Sequence, residues 1–155
     1  MATNGVDRFQ RAAAEHGLSV EVSEFPAGTR TAVDAAAAIG CDVAQIVKSL
    51  VFVADGTPIL VLTSGANRVD TDALARHLTA TEVRKADADE VRAATGYAIG
   101  GTPPFGHATQ LRVVCDRRLT TFTEVWAAAG SPSSVFPLAP EVLLQVTGAD
   151  VIDLA

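Results

Sequence analysis

The sequence predicts one domain of the mixed α/β (α+β) class. Segments that alternate apolar and polar side chains, as strands do, are interspersed with segments of helical periodicity that begin and end at capping residues. The 155 residues fit one domain of ordinary size. No internal repeat, low-complexity tract or linker divides them. We therefore expect residues 1–155 to form a single domain.

The first quarter of the chain contains two predicted helices with a strand between them. Asp7–His16 carries apolar residues on one helical face. Leu18–Phe25 alternates apolar and polar side chains, which predicts a half-buried strand, and Pro26-Ala27-Gly28 is expected to break it. Thr31 is expected to cap an alanine-rich helix that ends near Gly40.

Two β-branched runs predict a hairpin in the centre of the chain. Ile46–Ala54 and Pro58–Thr63 flank Asp55-Gly56-Thr57, and an Asp-Gly step between such runs is a strong hairpin signal. A loop over Ser64–Arg68 and a short helix over Thr71–Leu78 are expected to follow.

Further elements are predicted in the C-terminal half. Asp87–Ala94 and Pro140–Gly148 are predicted helices, the second because proline suits a helix start and glycine its end. Leu111–Cys115 and Ala149–Leu154 are predicted strands. The periodicity of Thr121–Ala129 does not distinguish a helix from a strand.

Charge and hydropathy exclude several classes of protein. A net charge of −6 argues against a general nucleic-acid coat, which is normally basic, although it leaves room for a local basic groove. No apolar run approaches the roughly 20 residues of a membrane span, and the first residues do not resemble a signal peptide. We therefore expect a soluble, cytoplasmic protein with no membrane contact.

No metal and no cofactor are expected from the motifs. Cys41 and Cys115 stand apart, without a CxxC or HxxxH pair, and we expect two buried thiols rather than a disulfide. Walker, GxSxG and HExxH patterns are absent. His16 and His77 lie on predicted helices, where we expect surface or hydrogen-bonded roles, and Trp126 is expected in the core.

The segment Gly100-Gly101-Thr102-Pro103-Pro104-Phe105-Gly106-His107 is the first candidate site. Glycine lets another molecule approach the main chain, while proline fixes φ and restricts the residue before it. Together they predict a rigid cradle of exposed amides that ends in an ionisable histidine. A tight surface turn explains the same composition equally well.

Lys48 is the second candidate site, because it lies in the most hydrophobic predicted strand. Alternation places its side chain on the face of Ile46 and Leu50, and both faces of the strand carry large apolar residues. A lysine there snorkels or forms a salt bridge, grips a ligand phosphate, or acts as a desolvated amine in Schiff-base or base chemistry. The residues alone do not separate these roles.

These two segments, in this order, resemble the YbaK family, the free-standing relatives of the editing domain inserted in bacterial prolyl-tRNA synthetases. The resemblance is carried by Ile46-Val47-Lys48-Ser49-Leu50-Val51-Phe52 and by Gly96-Tyr97-Ala98-Ile99-Gly100-Gly101-Thr102-Pro103-Pro104-Phe105-Gly106. It extends from about Thr31 to the C-terminus. It implies a mixed, curved, barrel-like β-sheet flanked by helices, with Thr121–Ala129 as a strand.

The resemblance also implies an activity, which is hydrolysis in trans of the ester that joins a wrong amino acid to the terminal adenosine of a tRNA. The expected substrate is the acceptor 3′ end of tRNA(Pro) carrying Cys, Ser, Thr or Ala, and prolyl-tRNA synthetase is an expected partner. Lys48 would position the terminal phosphate, and the backbone of Gly100 and Gly101 would contact the ester. A substrate hydroxyl or a water, and no side-chain nucleophile, would assist hydrolysis.

Seven further residues are expected to bind the substrate. They are Ser49, Ser64, Gly65, Thr102, Pro103, Pro104 and His107. Within this set, Ser64 and Gly65 end the neighbouring hairpin strand, and His107 would contact the amino group or the terminal ribose. The alanine-specific branch of the family carries Asn at the position of Ser49, so the resemblance favours alanine less than the other amino acids.

The sequence leaves two other functions open. The chain could be a non-catalytic module that binds a tRNA 3′ end or a nucleotide-like ligand beside a synthetase. It could also be a Schiff-base enzyme that uses Lys48 on a small carbonyl compound. Binding without turnover would indicate the first, and borohydride trapping of an adduct on the lysine would indicate the second.

Overall fold

The computed structural model describes residues 4–25 and 31–154, in which a mixed sheet of eight strands carries helices on both faces. The helices are α1 (Gly5–Glu15), α2 (Ala32–Ile39), α3 (Thr71–Leu78), α4 (Ala88–Thr95) and α5 (Pro140–Thr147). The strands are β1 (Ser23–Glu24), β2 (Ile46–Ala54), β3 (Thr57–Ser64), β4 (Val83–Lys85), β5 (Arg112–Asp116), β6 (Val125–Ala128), β7 (Ser134–Leu138) and β8 (Asp150–Ile152). Two short 3₁₀ turns, Val43–Gln45 and Arg117–Thr121, precede β2 and follow β5.

Parallel and antiparallel pairs are combined in this sheet. The strand order is β1-β7-β6-β2-β3-β5-β8, and β4 pairs with the far end of β2. Strand β2 is antiparallel to β3 and β4 but parallel to β6, while the β3–β5 and β5–β8 pairs are parallel. The predicted mixed sheet with flanking helices is thus confirmed. In the described part of the chain the order is open, with β1 and β8 at its ends, so no strand pair closes a barrel.

The β2–β3 hairpin is the longest pairing in the sheet and confirms its prediction. Eight residue pairs join the two strands without interruption. Asp55 and Gly56 make the connecting turn with φ values of 48° and 84°, and two successive positive values are typical of a type I′ turn. The Asp-Gly step therefore sets a register in which Lys48 lies opposite Thr63.

Alternating side chains of the hairpin build two cores, one on each face. Helices α1, α4 and α5 cover one face, where Phe9 and Val51 are buried. Helix α3 covers the other face through Leu74, which packs in the same cluster as Phe52. The alternation predicted along this strand is confirmed. A third, smaller cluster joins α2 to Ile46 at the start of β2.

Local capping explains where several helices begin and end. Thr31 Oγ1 accepts a hydrogen bond of 3.0 Å from Asp34 N at the start of α2, as its N-cap prediction requires. Gly40 and Gly148 follow α2 and α5 in the left-handed conformation expected of C-cap glycines. No helix in the described ranges is long and apolar enough to cross a membrane.

Other expectations are corrected by the long-range pairing. Strand structure in Leu18–Phe25 is confined to β1, because only those two residues pair with β7. The ambiguous Thr121–Ala129 contains strand β6, as the resemblance implied. Trp126 and Cys41 are only partly buried, since both border the small cluster under α2. The break expected at Pro26-Ala27-Gly28 lies outside the described residues.

Candidate functional site

A cavity of about 420 Å³ opens beside the start of β2. Its walls come from α2, β2, β6 and the loop that follows α4, and most of the lining side chains are apolar. The lining residues with polar side chains or no side chain are Thr31, Lys48, Ser49, Gly65, Gly100 and Thr102. No carboxylate is found among the described residues of these walls. The volume is that of a small-molecule site.

The cavity lies where β2 changes partners along one of its edges. Pairing with β6 involves Ile46 and Val47, and pairing with β4 begins at Phe52. Residues 48–50 therefore have no strand partner on this edge within the described part of the chain, although their other edge is continuously paired with β3. This gap between β6 and β4 brings the main chain of β2 to the cavity wall.

The Lys48 ammonium is held beside the cavity by a main-chain carbonyl. Its Nζ donates a hydrogen bond of 2.8 Å to the carbonyl oxygen of Asn67. Partial burial lowers the pKa of Lys48, the nearby charges of Lys85 and Arg68 lower it further, and Asp116 opposes them. No carboxylate of the described residues forms an ion pair with this ammonium. Because an ammonium has three N–H donors, Lys48 keeps donors available for an anion.

A buried carboxylate fixes the loop that holds Lys48. Asp116, at the end of β5, is 2% exposed. Its Oδ2 accepts hydrogen bonds from Ser64 N, Thr63 Oγ1 and Asn67 Nδ2 at 3.1, 3.2 and 2.9 Å. Its Oδ1 accepts a main-chain N–H at 3.0 Å. A buried charge is tolerated when it is satisfied in this way, and the network orients the residue whose carbonyl binds Lys48.

The glycine-proline segment forms the facing wall through Gly100 and Thr102. Gly100 has φ 89°, a left-handed value that favours glycine. A Cβ at Gly101 would lie 2.9 Å from the main chain of Ser131, so only glycine fits there. Gly101 N and Thr102 Oγ1 both donate to Ala98 O, at 3.0 and 3.1 Å. The main chain therefore sets the shape of this wall.

Half of the ten residues expected at the site do not line the cavity. They are Ser64, Gly101, Pro103, Pro104 and His107. Ser64 is fully buried, and its Oγ donates to the carbonyl of Ala44 at 2.7 Å. His107 Nε2–H donates to the carbonyl of Pro103 at 2.7 Å. Burial lowers the pKa of His107 and this hydrogen bond opposes the shift. The other five expected residues, among them Gly65, Ser49 and Thr102, do line the cavity.

Sequence reasoning missed several contributors to the site. Trp126, Val33 and Ile99 line the cavity, and the last two are 66% and 55% exposed, which places apolar surface at its rim. Trp126 gave only a weak signal, as the single tryptophan of the chain. Asn67 and Asp116 carried no such signal, because their roles depend on contacts across the fold. No group of three metal-ligating side chains occurs within residues 4–25 and 31–154.

Comparison with known proteins gives consistent matches. Residues 26–146 match the family model described as aminoacyl-tRNA editing domain. The chain is 30% identical over 131 residues to the uncharacterized protein YwhH of Bacillus subtilis (strain 168), which covers 84% of this chain and 83% of YwhH. It is 36% identical over 129 residues to a proline–tRNA ligase of Streptococcus pyogenes serotype M18 (strain MGAS8232), which covers 83% of this chain but only 20% of the ligase.

A solved structure described as a candidate trans-editing enzyme for prolyl tRNA synthetase is also similar. It superimposes with a TM-score of 0.93 at 45% sequence identity, covering 99% of this chain and 98% of the other. The overall fold is therefore shared along nearly the whole length of that protein. The chain spans about a fifth of the proline–tRNA ligase that it matches.

Proposed function

The chain belongs to the aminoacyl-tRNA editing domain family, and we propose that it is a trans-acting deacylase of mischarged tRNA(Pro). Editing is its role in translation, and the enzyme is a hydrolase of the aminoacyl ester. The proposed substrate is the acceptor 3′ end of tRNA(Pro) carrying a wrong small amino acid, Cys, Ser, Thr or Ala. Residues 1–155 would act as one editing unit in the cytoplasm beside prolyl-tRNA synthetase.

The observation that carries this proposal is a lysine ammonium with spare donors at a cavity that has no lining carboxylate in the described structure. Lys48 is held by a carbonyl and not by a counter-ion, so it is ready to bind the phosphate of the terminal adenosine. Gly100 lies on the facing wall. The aminoacyl ester, which is attached to the same nucleotide, would then lie between the two.

Cavity size and lining suit a small amino acid on a nucleoside. About 420 Å³ accommodates an aminoacyl group with part of the adenosine. Val33 and Ile99 supply an exposed apolar rim on which the base can lie. One methylene changes binding in an apolar pocket by about 1–3 kcal/mol, which is too little for a synthetase to reject every near-isostere. A separate editing site meets that need.

The reaction requires oxyanion stabilisation and an oriented water. Water adds to the ester carbonyl carbon, the bond to the ribose oxygen breaks, and that oxygen takes a proton. The products are the free amino acid and a tRNA with free ribose hydroxyls. Main-chain N–H groups at the cavity wall can stabilise the developing oxyanion, while Lys48 holds the phosphate. No histidine, cysteine or carboxylate lies among the described lining residues, so a substrate hydroxyl or water is the proposed proton carrier.

The test is a deacylation panel with tRNA(Pro) charged with Cys, Ser, Thr, Ala or cognate Pro. We expect wild-type protein to release at least one of the four non-cognate amino acids and to leave prolyl-tRNA intact. Lys48→Met should lower kcat/KM by about 10²-fold, the upper size expected for loss of a charge-assisted hydrogen bond to the phosphate. Lys85→Met, which removes the other lysine of the chain, is the matched control and should lower it by less than about threefold.

Two results of this panel would count against the proposal. Absence of deacylation for all four mischarged tRNAs, at every enzyme concentration, would overturn it. Binding of the tRNA 3′ end without turnover, weakened by Lys48→Met, would instead support a non-catalytic module.

A further inference from the structure

The main-chain groups of Ser49 point into the gap between β6 and β4. Gly65 N donates to the carbonyl of Ile46 at 2.8 Å, so the main-chain groups of Ile46 face β3. Ala86 N donates to the carbonyl of Val51 at 3.0 Å, so the groups of Val51 face the opposite edge. Because this orientation alternates along an antiparallel strand, Ser49 N–H and C=O face the same edge as those of Val51.

Among the described residues, none pairs with the main chain of Ser49 on that edge. Pairing with β6 stops at Val47 and pairing with β4 starts at Phe52, so neither strand reaches it. The Ser49 side chain also lacks a hydrogen-bond partner. Its Oγ is the one buried side-chain polar atom without a partner in the part of the chain that the structure describes. Polar groups at this depth are normally paired. Three unpaired groups of one residue at a cavity wall indicate a ligand-binding position.

We propose that the aminoacyl group docks in this gap as a strand one residue long, paired with Ser49. Its α-ammonium donates to the Ser49 carbonyl, and its ester carbonyl accepts from the Ser49 N–H. These are the two hydrogen bonds of an antiparallel hydrogen-bonded pair, which one residue can form with one residue. The inference rests on the proposed function and specifies how the amino acid is held.

This docking accounts for two properties of the cavity. An aminoacyl ester carries an ammonium, yet the described lining residues include no carboxylate, so a main-chain carbonyl is the available acceptor. The Ser49 N–H reaches the same oxygen that becomes the oxyanion, which supplies a donor where charge develops.

The pairing also places the side chain of the bound amino acid. Opposed residues of an antiparallel pair project to the same face, so this side chain lies beside Ser49 Oγ. The unpaired hydroxyl can then hydrogen-bond a hydroxyl or thiol of the substrate. The geometry favours Ser, Thr or Cys over Ala.

The experiment replaces the Ser49 amide by an ester, using the α-hydroxy analogue of serine introduced by nonsense suppression. This change deletes the N–H and keeps the hydroxyl. We expect kcat/KM on the active mischarged tRNA(Pro) to fall by about 10²-fold, with an unchanged circular-dichroism spectrum. The matched control is the corresponding ester at Phe52, which loses an N–H that faces β3 outside the cavity; it should keep activity within about threefold of wild type.

Ser49→Ala separates the side chain from the main chain, because it keeps both main-chain groups. It should lower deacylation of Ser-tRNA(Pro) by about tenfold, the loss expected for one hydrogen bond, and change that of Ala-tRNA(Pro) by less than about threefold. An ester variant at Ser49 as active as wild type would overturn the inference while leaving the proposed function intact. A wild type inactive on every tRNA would overturn the proposed function, and the inference with it.

Discussion

Two loops wall the cavity, and they are stabilised in opposite ways. The lysine loop, by which we mean residues 64–68 at the end of β3 that hold Lys48, is fixed by a side chain, since the carboxylate of Asp116 accepts hydrogen bonds from Ser64 N and Asn67 Nδ2. The glycine loop, residues 100–107 after α4, is fixed by hydrogen bonds to main-chain carbonyls close in sequence, such as Gly101 N to Ala98 O. The bond between Asn67 and Asp116 joins residues 49 apart in the sequence, whereas the bond between Gly101 and Ala98 joins residues three apart.

The two kinds of stabilisation follow from the group that each loop brings to the cavity. The lysine loop must hold a cation that has no counter-ion among the described residues, and a buried negative charge nearby offsets part of that cost. The glycine loop presents main chain to a ligand, so restricted φ values and close packing are sufficient. Damage to the first loop should therefore act mainly on stability, whereas damage to the second should lower activity as well as stability.

The largest effect on stability is expected for Asp116→Ala. It leaves the buried N–H of Ser64 and the partly buried amide of Asn67 without an acceptor, which should cost about 3 kcal/mol in the free energy of unfolding, measured in urea. KM for mischarged tRNA should also rise, because the carbonyl that holds Lys48 loses its support. Asp153→Ala, which removes an exposed partner of Arg117, is the control and should cost less than about 1 kcal/mol. Equal costs for the two variants would show that the network does not fix the loop.

The glycine loop is tested by a matched pair of alanine substitutions. Gly101→Ala places a Cβ 2.9 Å from Ser131 and should cost about 1–3 kcal/mol by overpacking. Gly100→Ala meets no atom closer than 3.9 Å, at Pro132, but forces alanine to φ 89°, which should cost about 1–2 kcal/mol. Both should lower kcat/KM by tenfold or more at temperatures where the variants stay folded. Gly101→Ala shifts the cavity wall, and Gly100→Ala changes a residue that lines it. Variants that lose stability but keep full activity would remove the loop from the site.

A smaller effect is expected from the histidine that ends the glycine loop. Burial lowers the pKa of His107 below 6.5, so the unfolded chain binds more protons than the folded one as the pH falls below 6.5. The free energy of unfolding should therefore fall through this range, and urea titrations of wild type and His107→Gln between pH 5 and 8 should differ in slope. Identical slopes for wild type and His107→Gln would contradict the burial of a neutral imidazole.

Local chemistry made the hairpin and several helix ends predictable. Asp55 and Gly56 specify their turn, and Thr31 specifies the start of α2, without reference to the rest of the chain. The unpredicted strands depend on distant partners instead. Strand β4 is three residues long and exists through its pairing with β2, while β7 contains Pro137, which in sequence argues against a strand.

The site was predictable where a residue type was unusual in its surroundings. Lys48 in an apolar strand and Gly100 in a glycine-proline segment were singled out on that basis, and both line the cavity. Asn67 and Asp116 were not, because an Asn in a loop and an Asp after a strand are common until the fold brings them together. The gap beside Ser49 was equally hidden, since it depends on where β6 and β4 stop pairing with β2.

The contact between Lys48 and the terminal phosphate can be tested by a double-mutant cycle across enzyme and substrate. The substrates are an aminoacyl adenosine and the same compound with a 5′-phosphate, and the proteins are wild type and Lys48→Ala. If the ammonium binds this phosphate, its removal should lower kcat/KM of wild type by at least about tenfold and leave that of Lys48→Ala nearly unchanged. An equal loss for both proteins would show that Lys48 does not hold the phosphate.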